Sequence, residues 1–128
     1  MKALLTTATD AGLTTSLTDL DLDLSQGEVT VRVEWSTFNY KDALALSGRI
    51  PIMQTLPLIG GIDLAGVVEA SDSPDFRPGD RVLVNGWELS QTHNGGYAEY
   101  ARVPARWLVP VPDAFSTRDA MALGTAGY

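Results

Sequence analysis

Val29-Thr30-Val31-Arg32-Val33-Glu34-Trp35-Ser36-Thr37-Phe38-Asn39-Tyr40-Lys41-Asp42 is the stretch on which the fold turns. Its first half alternates, with Val29, Val31, Val33 and Trp35 apolar and Thr30, Arg32, Glu34 and Ser36 polar. A period of two marks a strand with one buried face. Just beyond, Ala43, Leu44, Ala45 and Leu46 read as a short helix that Gly48 can end. The hand-over from strand to helix sets Asn39, Tyr40, Lys41 and Asp42 side by side. It holds acid/base-capable side chains at the rim of a rigid strand, a common address for chemistry.

Outward from that junction the pattern stays mostly β. Residues 1–7 and 13–20 read as strands, and Gly27 turns the chain into 29–35. A proline-rich loop is expected over 50–59, then a buried strand over 62–70 carrying Val67 and Val68. Arg77-Pro78-Gly79-Asp80 has Pro and Gly at the two central positions, which suits a type II turn into the strand Arg81-Val82-Leu83-Val84. Gly95-Gly96 is expected to make a tight turn before a strand over 97–103. Val109-Pro110-Val111-Pro112 is extended, since each Pro biases its predecessor away from helix. Ser116 offers an N-cap, with Asp119 three residues on, for a helix beginning at 120–123. That helix has barely begun when Gly124-Thr125-Ala126-Gly127-Tyr128 closes the chain, so the end reads as a cut within an element. Short strands separated by turn signals indicate a mainly β domain with short helices, a small barrel or sandwich.

Composition narrows the function classes. The 128 residues make one domain, long enough to bury roughly two-thirds of the unfolded surface. With 45% hydrophobic and 20% charged residues, the chain should fold. A net charge of −7 argues against a nucleic-acid surface, which needs clustered Lys and Arg. The absence of Cys rules out disulfides and thiolate metal sites. The longest uncharged stretch, 50–62, is broken by Pro51, Pro57, Gly60 and Gly61, so no membrane helix is expected. A soluble cytoplasmic protein is the expectation.

The candidate chemistry has competing structural readings. Asn39 and Asp42, three apart at a helix start, match an N-cap with an acid at the third helical position. That leaves Tyr40 and Lys41, which read either as exposed first-turn residues or as carriers of chemistry. A Tyr can give a proton to a carbanion or enolate, and a Lys can hold a carboxylate or phosphate. No metal is expected, because His93 is the only His and Asp63 has no softer ligand beside it. His93 reads as a loop or partly exposed residue, which with Trp87 could line a cleft. Gly60, Gly61 and Gly66 suit a tight bend and close strand packing, and no G-x-G-x-x-G or Walker loop occurs.

Taken in order, these motifs resemble the amino-terminal catalytic domain of a medium-chain dehydrogenase/reductase. The resemblance is carried by Asn39-Tyr40-Lys41-Asp42, Gly61-Ile62-Asp63-Leu64-Ala65-Gly66-Val67-Val68 and Arg77-Pro78-Gly79-Asp80-Arg81-Val82. It continues through Asn85-Gly86-Trp87, His93-Asn94-Gly95-Gly96-Tyr97-Ala98-Glu99, Trp107-Leu108-Val109-Pro110-Val111-Pro112 and Gly124-Thr125-Ala126-Gly127-Tyr128. The branch it is most similar to is zinc-free and quinone-oxidoreductase-like, and contains the NADPH-dependent acrylyl-CoA reductases. Asp63 stands where zinc-dependent alcohol dehydrogenases carry a His-Glu pair. Gly60 departs from the usual Pro of relatives, and Asn94 from a frequent Trp.

The resemblance implies a GroES-like, partly open β-barrel spanning 1–128, with a Rossmann domain that binds NADPH following in a longer parent protein. It implies reduction of an activated C=C bond, of acrylyl-CoA or a similar short acyl-CoA thioester, with quinone or enone reduction and a stand-alone binding module as alternatives. Tyr40 would sit against the cofactor and donate the proton, Asn39 and Asp42 would hold its turn, and Lys41 would meet an anionic group. The parent is expected to be a homodimer. The 128 residues alone are expected to be inactive and prone to self-association through the face a second domain would cover.

Overall fold

A computed structural model describes residues 1–10, 12–37 and 56–122. Its strands in chain order are β1 (Lys2–Thr9), β2 (Gly12–Asp19), β3 (Val29–Trp35), β4 (Leu58–Ile59), β5 (Asp63–Ser71), β6 (Arg81–Asn85), β7 (Tyr100–Val103) and β8 (Val109–Pro110). Two 3-10 turns, Leu24–Gln26 and Ala105–Trp107, and one short helix, α1 (Thr117–Ala122), complete the described elements.

β3 forms where its alternation places it, and it is central. The larger sheet runs β7-β3-β5-β6-β8, every pairing antiparallel. Val29 and Val31 are fully buried, and they pack with Leu64, Val68, Val82 and Val84 in one apolar core. Each such side chain contributes roughly 1.5–3 kcal/mol by leaving water. β5 is buried almost continuously from Asp63 to Gly66, because strands flank it and α1 packs across β3, β5 and β6. Gly66 is required by close approach, since a Cβ there would collide with the Arg32 carbonyl of β3.

The alternation of β3 fails at its end. Between Val33 and Trp35 the register with β5 skips, so two residues of β3 face one of β5. Such a bulge re-aims the side chains beyond it. Trp35 is accordingly exposed, with the Arg118 guanidinium 5.6 Å from its ring centre.

The smaller sheet is β2-β1-β4, and a seam at 97–99 joins it to the larger one. Leu4 N–H donates to Tyr97 O at 2.8 Å and Glu99 N–H to Lys2 O at 3.0 Å, while Val33 N–H reaches Glu99 O at 2.9 Å. β2 and β8, the outer strands at the far ends, do not pair with each other. The result is the expected partly open barrel.

Several local expectations hold. Gly79 takes φ +96° and Asp80 N–H returns to Arg77 O, the type II pattern. Ser116 Oγ accepts from Asp119 N–H at 3.1 Å, and the Asp119 carboxylate accepts from Ser116 N–H at 3.4 Å, a reciprocal cap for α1. Others need correction. Gly95 and Gly96 make no positive-φ turn; they lie against 59–61, with Gly95 N–H on Ile59 O and Gly96 N–H on Gly61 O. Cβ atoms there would meet the Gly60, Gly61 and Asp63 carbonyls, so glycine serves contact rather than turning. The strand expected over 97–103 is β7 alone, and Leu58 and Ile59 pair with β1 inside the segment read as loop. The helix expected around Ala43 to Leu46 lies outside the described residues, as do Gly124 to Tyr128.

Candidate active site

Asp63, the first residue of β5, is completely buried. A carboxylate in such a place is costly unless donors surround it. Thr37 Oγ1 donates to its Oδ2 at 3.1 Å, and Gly86 N–H reaches its Oδ1 at 3.2 Å. Gly86 follows β6 with φ +72° and also donates to Ile62 O at 2.8 Å, so one amide serves two acceptors. Ser36 Oγ donates to the Asp63 carbonyl at 2.7 Å. Tyr97 OH donates to the Thr37 carbonyl at 2.9 Å. Thr37 is thereby held by its side chain and by its carbonyl, two residues before Asn39. Asn85, directly across from Asp63 in the β5–β6 pairing, keeps a buried Oδ1 with no hydrogen-bond partner among the described residues.

Asn39, Tyr40, Lys41 and Asp42 lie outside the described residues. The structure describes the corner from which that segment departs. Asp63, read from the sequence only as a carboxylate lacking soft neighbours, is the centre of that corner. The signal that could have found it is a lone acid inside the apolar run Gly61-Ile62-Asp63-Leu64-Ala65-Gly66-Val67-Val68.

His93 differs from its expectation. It is buried, and its Nε2–H donates to the Arg102 carbonyl at 2.7 Å. Its ring meets Trp107 edge-on at 4.7 Å, and Trp87 stacks on the other ring at 5.8 Å. Burial holds its pKa below the ordinary range. His93 and Trp107 are part of the core packing, whereas Trp87, stacked over Trp107, stays exposed. Arg102, also missed, is buried; it donates to Gly27 O at 2.7 Å, Thr30 Oγ1 at 2.9 Å and the Asp72 carboxylate at 2.6 Å. Asn94 Oδ1 accepts from Ile59 N–H at 3.0 Å, which ties its loop to β4. Among the described residues no three His, Cys, Asp or Glu side chains gather in a metal-binding cluster, and no helix is long and apolar enough to cross a membrane.

Residues 25–113 match the alcohol dehydrogenase GroES-like domain. The acrylyl-CoA reductase AcuI of Ruegeria pomeroyi is 49% identical over 113 residues, covering 88% of this chain and 33% of that protein. YhfP of Bacillus subtilis, a protein provisionally named a quinone oxidoreductase, is 45% identical over 83% of this chain and 32% of its own length. The yhdH oxidoreductase of Salmonella enterica, solved in complex with NADP, superposes with a TM-score of 0.94 at 46% identity, covering 99% of this chain and 40% of that one. The chain thus spans about a third to two-fifths of the length of these relatives. It belongs to the alcohol dehydrogenase GroES-like domain family, the amino-terminal fold of the medium-chain dehydrogenase/reductases.

Proposed function

We propose that residues 1–128 are the substrate half of an NADPH-dependent reductase of activated C=C bonds, acting on acrylyl-CoA or a similar short acyl-CoA thioester. The observation that carries this reading is the 49% identity to an acrylyl-CoA reductase across nearly the whole chain, together with the braced strand end that precedes Tyr40. NADPH, when bound, supplies a hydride to the alkene β-carbon. The residues present fit one side of such a group: the sequence has no glycine-rich phosphate loop, and its contribution is the anchored segment leading to Tyr40. The nucleotide-gripping residues belong to a following domain of the parent protein, which we take to be a cytoplasmic homodimer.

In this reading Tyr40 packs beside the cofactor and donates a proton to the α-carbon, directly or through water. The enolate oxygen that precedes this step requires hydrogen-bond donors. Asn39 and Asp42 hold the turn that aims Tyr40, Lys41 meets an anionic group of the substrate, and no metal takes part. Thr37, fixed between Asp63 and Tyr97, restricts where that turn can start. Positioning of this kind is a large share of catalysis. Residues 1–128 alone lack the opposing wall and should show no reductase activity.

The test is Tyr40→Phe in the full-length protein. Alkene reduction should fall by about 10²–10⁴-fold with NADPH affinity retained. An unchanged rate removes Tyr40 from the mechanism. The second reading, quinone or enone reduction, is favoured by the likeness to YhfP. It predicts specificity constants for CoA thioesters no higher than those for simple enones.

A further inference from the structure

The four sheet ends differ in how they are guarded. β8 carries Pro110, β7 is four residues long and carries Arg102, and β4 has two residues tied to Gly95 and Asn94. β2 has none of these devices. It runs eight residues, Gly12–Asp19, in unbroken register with β1, with no bulge, no Pro and no charge before Asp19. Sheet edges usually carry such protections because an unguarded edge templates another strand.

The direction of the free backbone groups follows from β1. Lys2 O and Leu4 N–H are engaged with the 97–99 seam, on the side away from β2. Their cross-strand partners, Asp19 and Leu17, therefore turn their own N–H and C=O away from β1. By alternation Thr15 and Leu13 do the same. None of Leu13, Thr15 and Leu17 makes a further backbone hydrogen bond on that side among the described residues. Leu17 is 68% exposed, and with Leu4 and Trp35 it lines an apolar groove where the sheets meet.

We propose that β2 is a self-pairing edge whose occupant is the β2 of a second copy of this chain, antiparallel and centred on Thr15. The strand is self-complementary in that register and in no charged sense opposed to itself. Thr15 faces Thr15 of the second copy, Leu13 faces Leu17 twice, and Thr14 faces Ser16 twice. The residues that face each other at 13, 15 and 17 are those with outward N–H and C=O groups, so the backbone bonds and the leucine contacts form together. The pairing joins two three-stranded sheets into one six-stranded sheet and carries the apolar stripe across the join. A partner with a charged strand would gain the backbone bonds without the leucine contacts. This proposal does not rest on the enzymatic reading.

Sedimentation equilibrium of the 128-residue chain from low micromolar to near-millimolar concentration tests it. The chain should show a monomer–dimer equilibrium, and Leu17→Lys should raise the dissociation constant by about tenfold or more, since two cross-strand pairs are lost. Leu17 is exposed, so far-UV circular dichroism and melting temperature should stay at the parent values. Adding Leu13→Glu to Leu17→Lys places opposite charges across the join and should restore dimerisation. A chain that stays monomeric, or association indifferent to Leu17→Lys, overturns the proposal. A double variant no tighter than the single one overturns the Thr15-centred register.

Discussion

Asp63 and His93 are both buried ionisable side chains, yet the protein uses them in opposite ways. Asp63 collects donors to its carboxylate from two distant parts of the chain, Thr37 and Gly86, with Ser36 on its carbonyl, and braces the end of the segment leading to Tyr40. His93 faces a single carbonyl and the Trp107 indole, and its burial favours the neutral form. One polar group braces the strand end at Thr37; the other closes a core. Burial of a titratable residue is therefore no sign of a site by itself. The partners decide: donors converging from separate parts of the chain brace a strand end, whereas aromatic faces only pack.

The largest expected break in this contrast is Asp63→Ala. It strips two acceptors from Thr37 and Gly86 and should cost about 2–4 kcal/mol in chemical denaturation. Asp63→Asn retains a side-chain acceptor and should recover part of that loss. If Asp63→Ala melts with the parent chain, the corner is not held as described. Arg102→Met comes next on the His93 side. It leaves Gly27 O and Thr30 Oγ1 without their donor, for about 1–3 kcal/mol, discounted because Asp72 is largely exposed. Reductase turnover per folded molecule of the full-length protein should not change in Arg102→Met, which separates the two regions functionally.

Tyr97→Phe removes the hydroxyl that holds Thr37 O and should cost about 1 kcal/mol. Under the proposed reductase reading, the change should lower kcat of the full-length protein more than it raises KM, since Thr37 leads into Tyr40. Equal melting and equal kcat would mean that the Thr37 carbonyl needs no such restraint. The smallest effect is on pH dependence. His93 has a depressed pKa when folded, so its contribution is intact above the ordinary value near 6.5 and is lost as pH falls below it. His93→Gln can keep a donor to Arg102 O and should flatten the urea-midpoint profile as pH falls below about 6.5. A variant whose profile follows the parent chain shows that other groups set the acid limb.

Much of the architecture was legible from local pattern. The alternation in β3, the Pro78-Gly79 turn and the Ser116–Asp119 cap are set by steric and hydrogen-bonding preferences within a few residues, and each forms where expected. The site was legible in part. Thr37 to Asp42 stood out as a strand-to-helix junction, but the roles of Asp63 and Tyr97 depend on residues 26 and 60 positions from their partners. Arg102, likewise, finds Thr30 and Asp72 far away in sequence. No window of neighbouring residues contains those pairs.

Sequence by itself determined the class of fold and the family, because periodicity, turn residues and short motifs act over distances the chain spans locally. Tertiary structure alone decided which polar groups are buried together, that Gly95 and Gly96 serve contact with 59–61, and that a bulge sends Trp35 outward. Those outcomes follow from register between strands, where one inserted residue reverses which side faces the core.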